Sequence, residues 1–417
     1  MSINCWRSWR EGDLIHKMFW CLYYYLLSDV YSNVKVTPHM NLLSRLSRVR
    51  KRIAAADLDA LLISYLPNVR YLSGFDGSSA NLIITKDQLY FITDFRYITV
   101  VESLFANTSD LDFTLVTVDL SYDETIGDTL LGLGVKRIGV EGAHFTMRQY
   151  SWLRDFLGAA SKKTNSVCLV PTERIIESVR LCKDSYEIEL MRTAAAKLSE
   201  VALEVLPKVS LGRSERDVAA EVDWTIHRMG FERTAFETIV ASGPNSALPH
   251  ARPSERVLSP GDLVVLDFGG VHDGYCVDMT RTVCLGIPDT RAKKIYEAVL
   301  EAQAAAISAI AVGVSVCNID EAARDSLKRH GLADAFGHGT GHGLGLEVHE
   351  EPRISRRRPQ EKISHSVETL VKAGMVFTIE PGVYIPNFGG VRIEDDLLVT
   401  PNGYEVLTQV PYEFVSA

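Results

Sequence analysis

The chain has 417 residues, of which 46% are hydrophobic and 23% charged. That balance is ordinary for a globular protein and excludes bulk disorder. Lys and Arg number 44 against 53 Asp and Glu, a net charge of −9, so no nucleic-acid partner is expected. Seven cysteines without a C-x-x-C pair make neither a disulfide framework nor a zinc ribbon, and read as reduced thiols of a cytoplasmic protein. No apolar run approaches the ~20 residues needed to span a bilayer, and no membrane partner is expected.

At ~100–200 residues per domain the length predicts two or three domains. Residues 1–39 stand apart, crowded with aromatics and carrying an apolar run from Met18 to Leu27. The run has the length of a signal-peptide core, but Glu11 and Asp13 lie in its would-be basic region and no small-residue cleavage site follows. The segment is expected to be an extension, disordered or foreign to the native protein. From Met40 the spacing predicts an amphipathic helix with Leu43, Leu46, Val49 and Ile53 on its apolar face. Strand patterns follow at 60–64, 81–85, 88–93, 113–119, 137–141 and 166–170, with Lys86-Asp87 as a tight turn. Helical patterns between most of them make 40–172 an α/β domain with a mixed sheet. Its Ser73-Gly74-Phe75-Asp76-Gly77 stretch lacks the frame of a dinucleotide-binding loop.

A helix predicted over 183–206 and stopped by Pro207 opens the second domain, 173–417. Ser214 and Asp217 form a capping-box pattern, and two more helices fit 291–311 and 318–329.

Two segments of this domain repeat one design. The first runs from Gly261 through an apolar strand to Asp267, turns at Asp273-Gly274 and returns to Asp278. The second runs from Gly374 through a similar strand to Glu380 and returns past Gly389-Gly390 to Glu394. Asp267 and Asp278 are eleven apart, so an even two-residue turn places both on one face. Glu380 and Glu394 are fourteen apart, and an odd loop such as Pro386-Asn387-Phe388, or one bulge, does the same. Like charges on one face of a β pair repel unless a cation or a proton compensates. Four carboxylates beside apolar neighbours therefore point to one or two divalent cations.

Histidine supplies a further ligand type. His338, His342 and His349 lie in one glycine-rich segment, where glycine permits close backbone approach, and His250 is a fourth candidate. No G-x-S-x-G elbow or P-loop is present, and Cys276 and Cys284 read as packing residues on a strand. Four carboxylates with one histidine suit a two-metal hydrolase.

The stretches SALPHARP, LDFGG, VDMTRT, HGTGHGLGLEVHE, TIEPGVY and GGVRIEDD together resemble those of the pita-bread metallopeptidases, in particular the Xaa-Pro peptidases aminopeptidase P and prolidase. The resemblance covers 40–417. It implies a creatinase-like N-terminal domain and an α+β pita-bread catalytic domain with internal duplication. It implies two divalent metal ions, manganese first with cobalt or zinc as alternatives, held by Asp267, Asp278, His342, Glu380 and Glu394. It further implies a bridging hydroxide as nucleophile, Glu380 as proton shuttle, and His250 and His349 as hydrogen-bond donors to substrate and oxyanion. His338, Arg392 and Phe236 would line the prolyl pocket, although Phe236 stands where some relatives have Tyr. The expected activity is cleavage before proline in Xaa-Pro peptides by an aminopeptidase P, with prolidase (dipeptides only) as the alternative. A non-catalytic peptide-binding protein on the same fold is the remote one. The resemblance also implies a homodimer. The stretch between His349 and Glu380 is longer than in most relatives, and the excess falls around Arg356 to His365. It is expected to be a solvated loop, unless Arg356, Arg357 and Arg358 meet a peptide carboxylate or a neighbouring subunit.

Overall fold

A computed structural model describes residues 41–106, 111–160, 167–356, 368–412 and 414. The 1–39 extension lies outside the described residues, as does the insertion beyond Arg356.

The first sheet holds β1 (Ala60–Ile63), β2 (Asn81–Thr85), β3 (Leu89–Thr93), β4 (Phe113–Thr117), β5 (Arg137–Glu141) and β6 (Cys168–Thr172), in the order β4-β3-β2-β1-β5-β6. β2 runs antiparallel to both neighbours and the other pairs are parallel, so the sheet is mixed as the pattern predicts. β1 is buried at every residue, which suits a central strand covered on both faces. β6 begins two residues later than the pattern suggests and takes in Pro171, which an edge strand tolerates.

The first helix, Leu42–Ala55, differs from expectation in phase. It buries Leu42, Leu46, Val49 and Ile53, while Leu43 is 48% exposed. The buried stripe also takes in Arg45, which an apolar count cannot see. Arg45 Nε lies 2.8 Å from Asp184 Oδ2, and this pair turns the helix.

Packing changes hands at a short linker. Ile176 and Val179 join the core of the first sheet, whereas Leu181 and Cys182 join that of the second domain. Asp184 then caps the helix Ser185–Val205, with Glu187 completing a capping box. The box expected at Ser214 and Asp217 opens the helix Glu215–Arg228. Helices Thr290–Ser308 and Val316–Arg329 match the other two patterns within a few residues.

The second domain's strands form antiparallel sheets. β7 (Arg233–Thr234), β8 (Ile239–Ser242), β9 (Leu263–His272) and β10 (Tyr275–Cys284) make one. β11 (Gly341–Gly343), β12 (Glu350–Ile354), β13 (Val376–Ile379), β16 (Asp395–Thr400) and β17 (Gly403–Val406) make another, in the order β12-β11-β13-β16-β17. β14 (Gly382–Ile385) and β15 (Gly389–Arg392) form a hairpin between them. Among the described residues no helix is long and apolar enough to cross a membrane.

Candidate active site

The site grows out of the two duplicated hairpins. In the first, Asp267 sits opposite Thr280 and Asp278 opposite Gly269, so both carboxylates lie on one face. Asp273 and Gly274 take positive φ values of 45° and 82°, the backbone a two-residue turn requires. In the second, the register pairs Ile379 with Asp395 and Gly382 with Arg392, which sets Glu380 across from Glu394. Ile385 pairs with Gly389, leaving the odd loop Pro386-Asn387-Phe388. The hairpins meet where Glu394 N donates to Thr280 O at 3.1 Å and Thr280 Oγ1 donates to Glu394 Oε2 at 2.6 Å.

His342 comes from β11, between β12 and β13. Its Nδ1 lies 3.1 Å from Gly343 O, a contact that places the ring proton on Nδ1 and leaves Nε2 as the acceptor. Nε2 faces Asp278 Oδ2 at 3.7 Å and Glu380 Oε1 at 3.8 Å. Ligand atoms of Asp278, His342 and Glu394 all lie within 4.8 Å of one another. Asp267 borders the same cavity, ion-paired to Arg392.

Burial and repulsion from neighbouring carboxylates, Asp267 among them for both, push the Asp278 and Glu394 carboxyls above their ordinary range, and burial with Glu394 nearby does the same to Glu380. Burial pushes His342 down to about 3 and His338 down to about 4, so both rings are neutral at pH 7. Buried Asp267 Oδ1 and Asp278 Oδ1 have no hydrogen-bond partner among the described residues. Orphaned hard oxygens, crowded carboxylates and a neutral imidazole suit divalent cations. The residues present therefore fit the metal centre that the resemblance implies.

All the sequence-derived candidates line one cavity of about 580 Å³, including Phe236, His250, His338, His349, Glu380 and Arg392. Their surroundings differ. Arg392, expected to line the prolyl pocket, borders the cavity with its guanidinium held by Asp267, Tyr384 Oη at 2.8 Å, Thr280 Oγ1 at 3.1 Å and Pro249 O at 3.2 Å. It acts here as a counter-charge to the carboxylates. His338 Nε2 lies 2.9 Å from Tyr384 Oη.

Sequence reasoning missed Tyr384, Thr280 and Asp396, although all three lie in the quoted motifs. Asp396 Oδ2 accepts a hydrogen bond from Asp278 N at 3.0 Å, and its Oδ1 is a third orphan. Arg353, also missed, lines the cavity; its guanidinium has no side-chain hydrogen bond or ion pair among the described residues, and its charge acts on His342 and His349. An orphaned acceptor or cation emerges only once the fold shows which partners are absent.

The family model described as Metallopeptidase family M24 matches residues 189–401, and the Creatinase/Prolidase N-terminal domain matches 45–182. The chain belongs to metallopeptidase family M24. An Xaa-Pro dipeptidase of Pyrococcus horikoshii is 34% identical over 376 residues, 88% of this chain and 98% of that one. The solved Xaa-Pro dipeptidase from Bacillus anthracis superposes with a TM-score of 0.83 at 34% identity, covering 90% of this chain and all of that one. X-Pro aminopeptidase from Thermotoga maritima superposes with a TM-score of 0.76 at 31% identity, over 87% of this chain and 99% of that one. This M24 chain thus has the pita-bread fold behind a creatinase-type domain, and is a metallopeptidase.

Proposed function

We propose that this M24 peptidase is an Xaa-Pro dipeptidase that holds two divalent cations on Asp267, Asp278, His342, Glu380 and Glu394. The dipeptidase relatives support this reading over the aminopeptidase P expected from sequence. The observation that carries it is Arg353, an exposed guanidinium at the cavity with no ion pair among the described residues, which would take the terminal carboxylate of a dipeptide. Four carboxylates and one imidazole favour manganese, with cobalt and zinc as the other metals to assay.

Bound cations would supply Lewis acidity and a hydroxide near neutral pH. Glu380 takes up the proton released as water adds to the scissile carbonyl carbon, and returns it to the prolyl nitrogen as the C–N bond breaks. His349 and His250 border the same cavity and donate hydrogen bonds to the oxyanion and the substrate. Phe236, His338 and Tyr384 shape the prolyl side, with Arg392 fixing both Tyr384 and Asp267.

The second reading, aminopeptidase P, draws on space. His349 and Arg353 also border a cavity of about 620 Å³ between the domains, which offers room for a longer peptide. Hydrolysis of Ala-Pro, Ala-Pro-amide and Ala-Pro-Ala by the manganese-loaded protein tests the choice. Rapid turnover of Ala-Pro alone is expected. Comparable kcat/KM for all three would replace dipeptidase by aminopeptidase, and no cleavage of any would remove both.

A further inference from the structure

We propose that the N-terminal domain is a working part of the active site, because Tyr65, Asn68 and Arg180 hold the loop that presents His349. The inference rests on the reading of His349 as a donor to the oxyanion.

His349 is exposed, and among the described residues no hydrogen bond holds its ring, which meets the His342 ring edge-on at 4.3 Å between centroids. An exposed imidazole so placed would sample many rotamers, and ordering it costs free energy. Its two acidic neighbours show how the backbone beneath it is fixed. Glu347 Oε1 accepts a hydrogen bond from Tyr65 Oη, and its Oε2 lies 2.8 Å from Arg180 Nη2. Glu350 Oε2 lies 2.6 Å from the same Nη2, and its Oε1 meets Lys183 Nζ at 2.5 Å. Arg180 Nη2 thus bridges the residues on either side of His349, with the Arg180 side chain only 3% exposed.

The bridge is anchored in the N-terminal domain. Arg180 Nη1 donates to Asn68 Oδ1 at 2.8 Å, and Asn68 Nδ2 donates to Glu141 Oε1 at 2.7 Å. Glu141 Oε2 in turn accepts the backbone N–H of Ser64 and of Tyr65, at 2.7 and 2.8 Å. The Tyr65 ring stacks on His144 at 3.6 Å, which fixes the direction of its hydroxyl. Leu346, on the same loop, packs against the cores of both domains. Neither Tyr65 nor Arg180 lines the cavity that holds the ligand candidates. They are positioning residues that act through the loop. A misplacement of about 1 Å in a catalytic donor can cost on the order of 10²-fold in rate, so such a clamp has kinetic consequences.

Tyr65→Phe keeps the ring stack and removes one hydrogen bond to a carboxylate. Hydrogen–deuterium exchange of the metal-loaded enzyme without substrate should show faster exchange in 344–350 and little change elsewhere. For Ala-Pro, kcat should fall roughly tenfold, the size of one charge-assisted hydrogen bond, with KM and metal content unchanged. In a His349→Ala background the same substitution should cause no further fall, because the two act as one unit. Unchanged exchange, or an equal fall in both backgrounds, overturns the proposal. Full kcat in His349→Ala alone overturns the reading of His349 itself, and the exchange result then decides the clamp independently.

Discussion

Carboxylates that repel one another define the site at the scale of single residues. Asp278 is 4% exposed, one of its oxygens is orphaned, and burial first, then Glu394, Asp267, Asp396 and Glu380, push its proton affinity up. In metal-free protein that repulsion opposes folding, and a cation reverses its sign. Asp278→Asn should therefore raise the Tm of chelator-treated protein while abolishing the Tm gain on adding manganese. Metal content and kcat/KM should fall with it. Thermal melts with and without chelator check this, and a full manganese-induced gain in the variant would remove Asp278 from the ligand set. Asp396→Ala acts one step further out, through the Asp278 backbone N–H. A loss of roughly 10- to 100-fold in metal affinity or activity is expected there, read by metal titration and kinetics.

Among the elements, the hairpins were the legible part and β11 was not. Period-two alternation and loop parity suffice to set Asp267 beside Asp278 and Glu380 across from Glu394, because turn length fixes register. β11 is three residues, Gly341-His342-Gly343, too short for any periodicity to register. Its glycines did signal close approach, and the structure supplies the neighbour. A Cβ on Gly341 would lie 1.9 Å from Thr378 O, and one on Gly343 would lie 2.2 Å from Glu351 O. Gly341→Ala must push β11 away from β13 and carry His342 with it. Overpacking of this kind costs about 1–3 kcal/mol, or several degrees of Tm in a domain of this size. Metal affinity should fall in parallel. Gly337→Ala is the control, since nothing lies within 4 Å of its added Cβ. Equal melting and metal binding in the two variants would mean that β11 yields without moving His342.

In the whole molecule, the domains are joined by buried ion pairs that no local pattern displays. Arg45 reaches Asp184 across 139 residues of sequence, and Arg180 reaches Glu350 across 170. Burial alone would raise the Asp184 carboxyl, but the hydrogen bond and charge of Arg45, with Arg48 nearby, outweigh it and hold the group below its ordinary 3.8. Glu187 faces the same guanidinium and shifts the other way, upward, because burial dominates there. For Asp184 the unfolded chain takes up its proton at higher pH than the folded one. Its contribution to stability is thus complete above about pH 3.8 and is lost as pH falls through the lower folded value. Asp184→Asn isolates this charge, since Asn serves as well as Asp at a helix N-cap. The variant should melt several degrees lower at pH 6, in line with about 1.5–3 kcal/mol for a hydrogen bond to a charged group. As the pH drops below 3.8 the two melting curves should converge, because wild type then loses the same charge. A difference in Tm that holds constant from pH 6 to pH 3 would show that Asp184 joins the domains through its cap geometry and not through its charge.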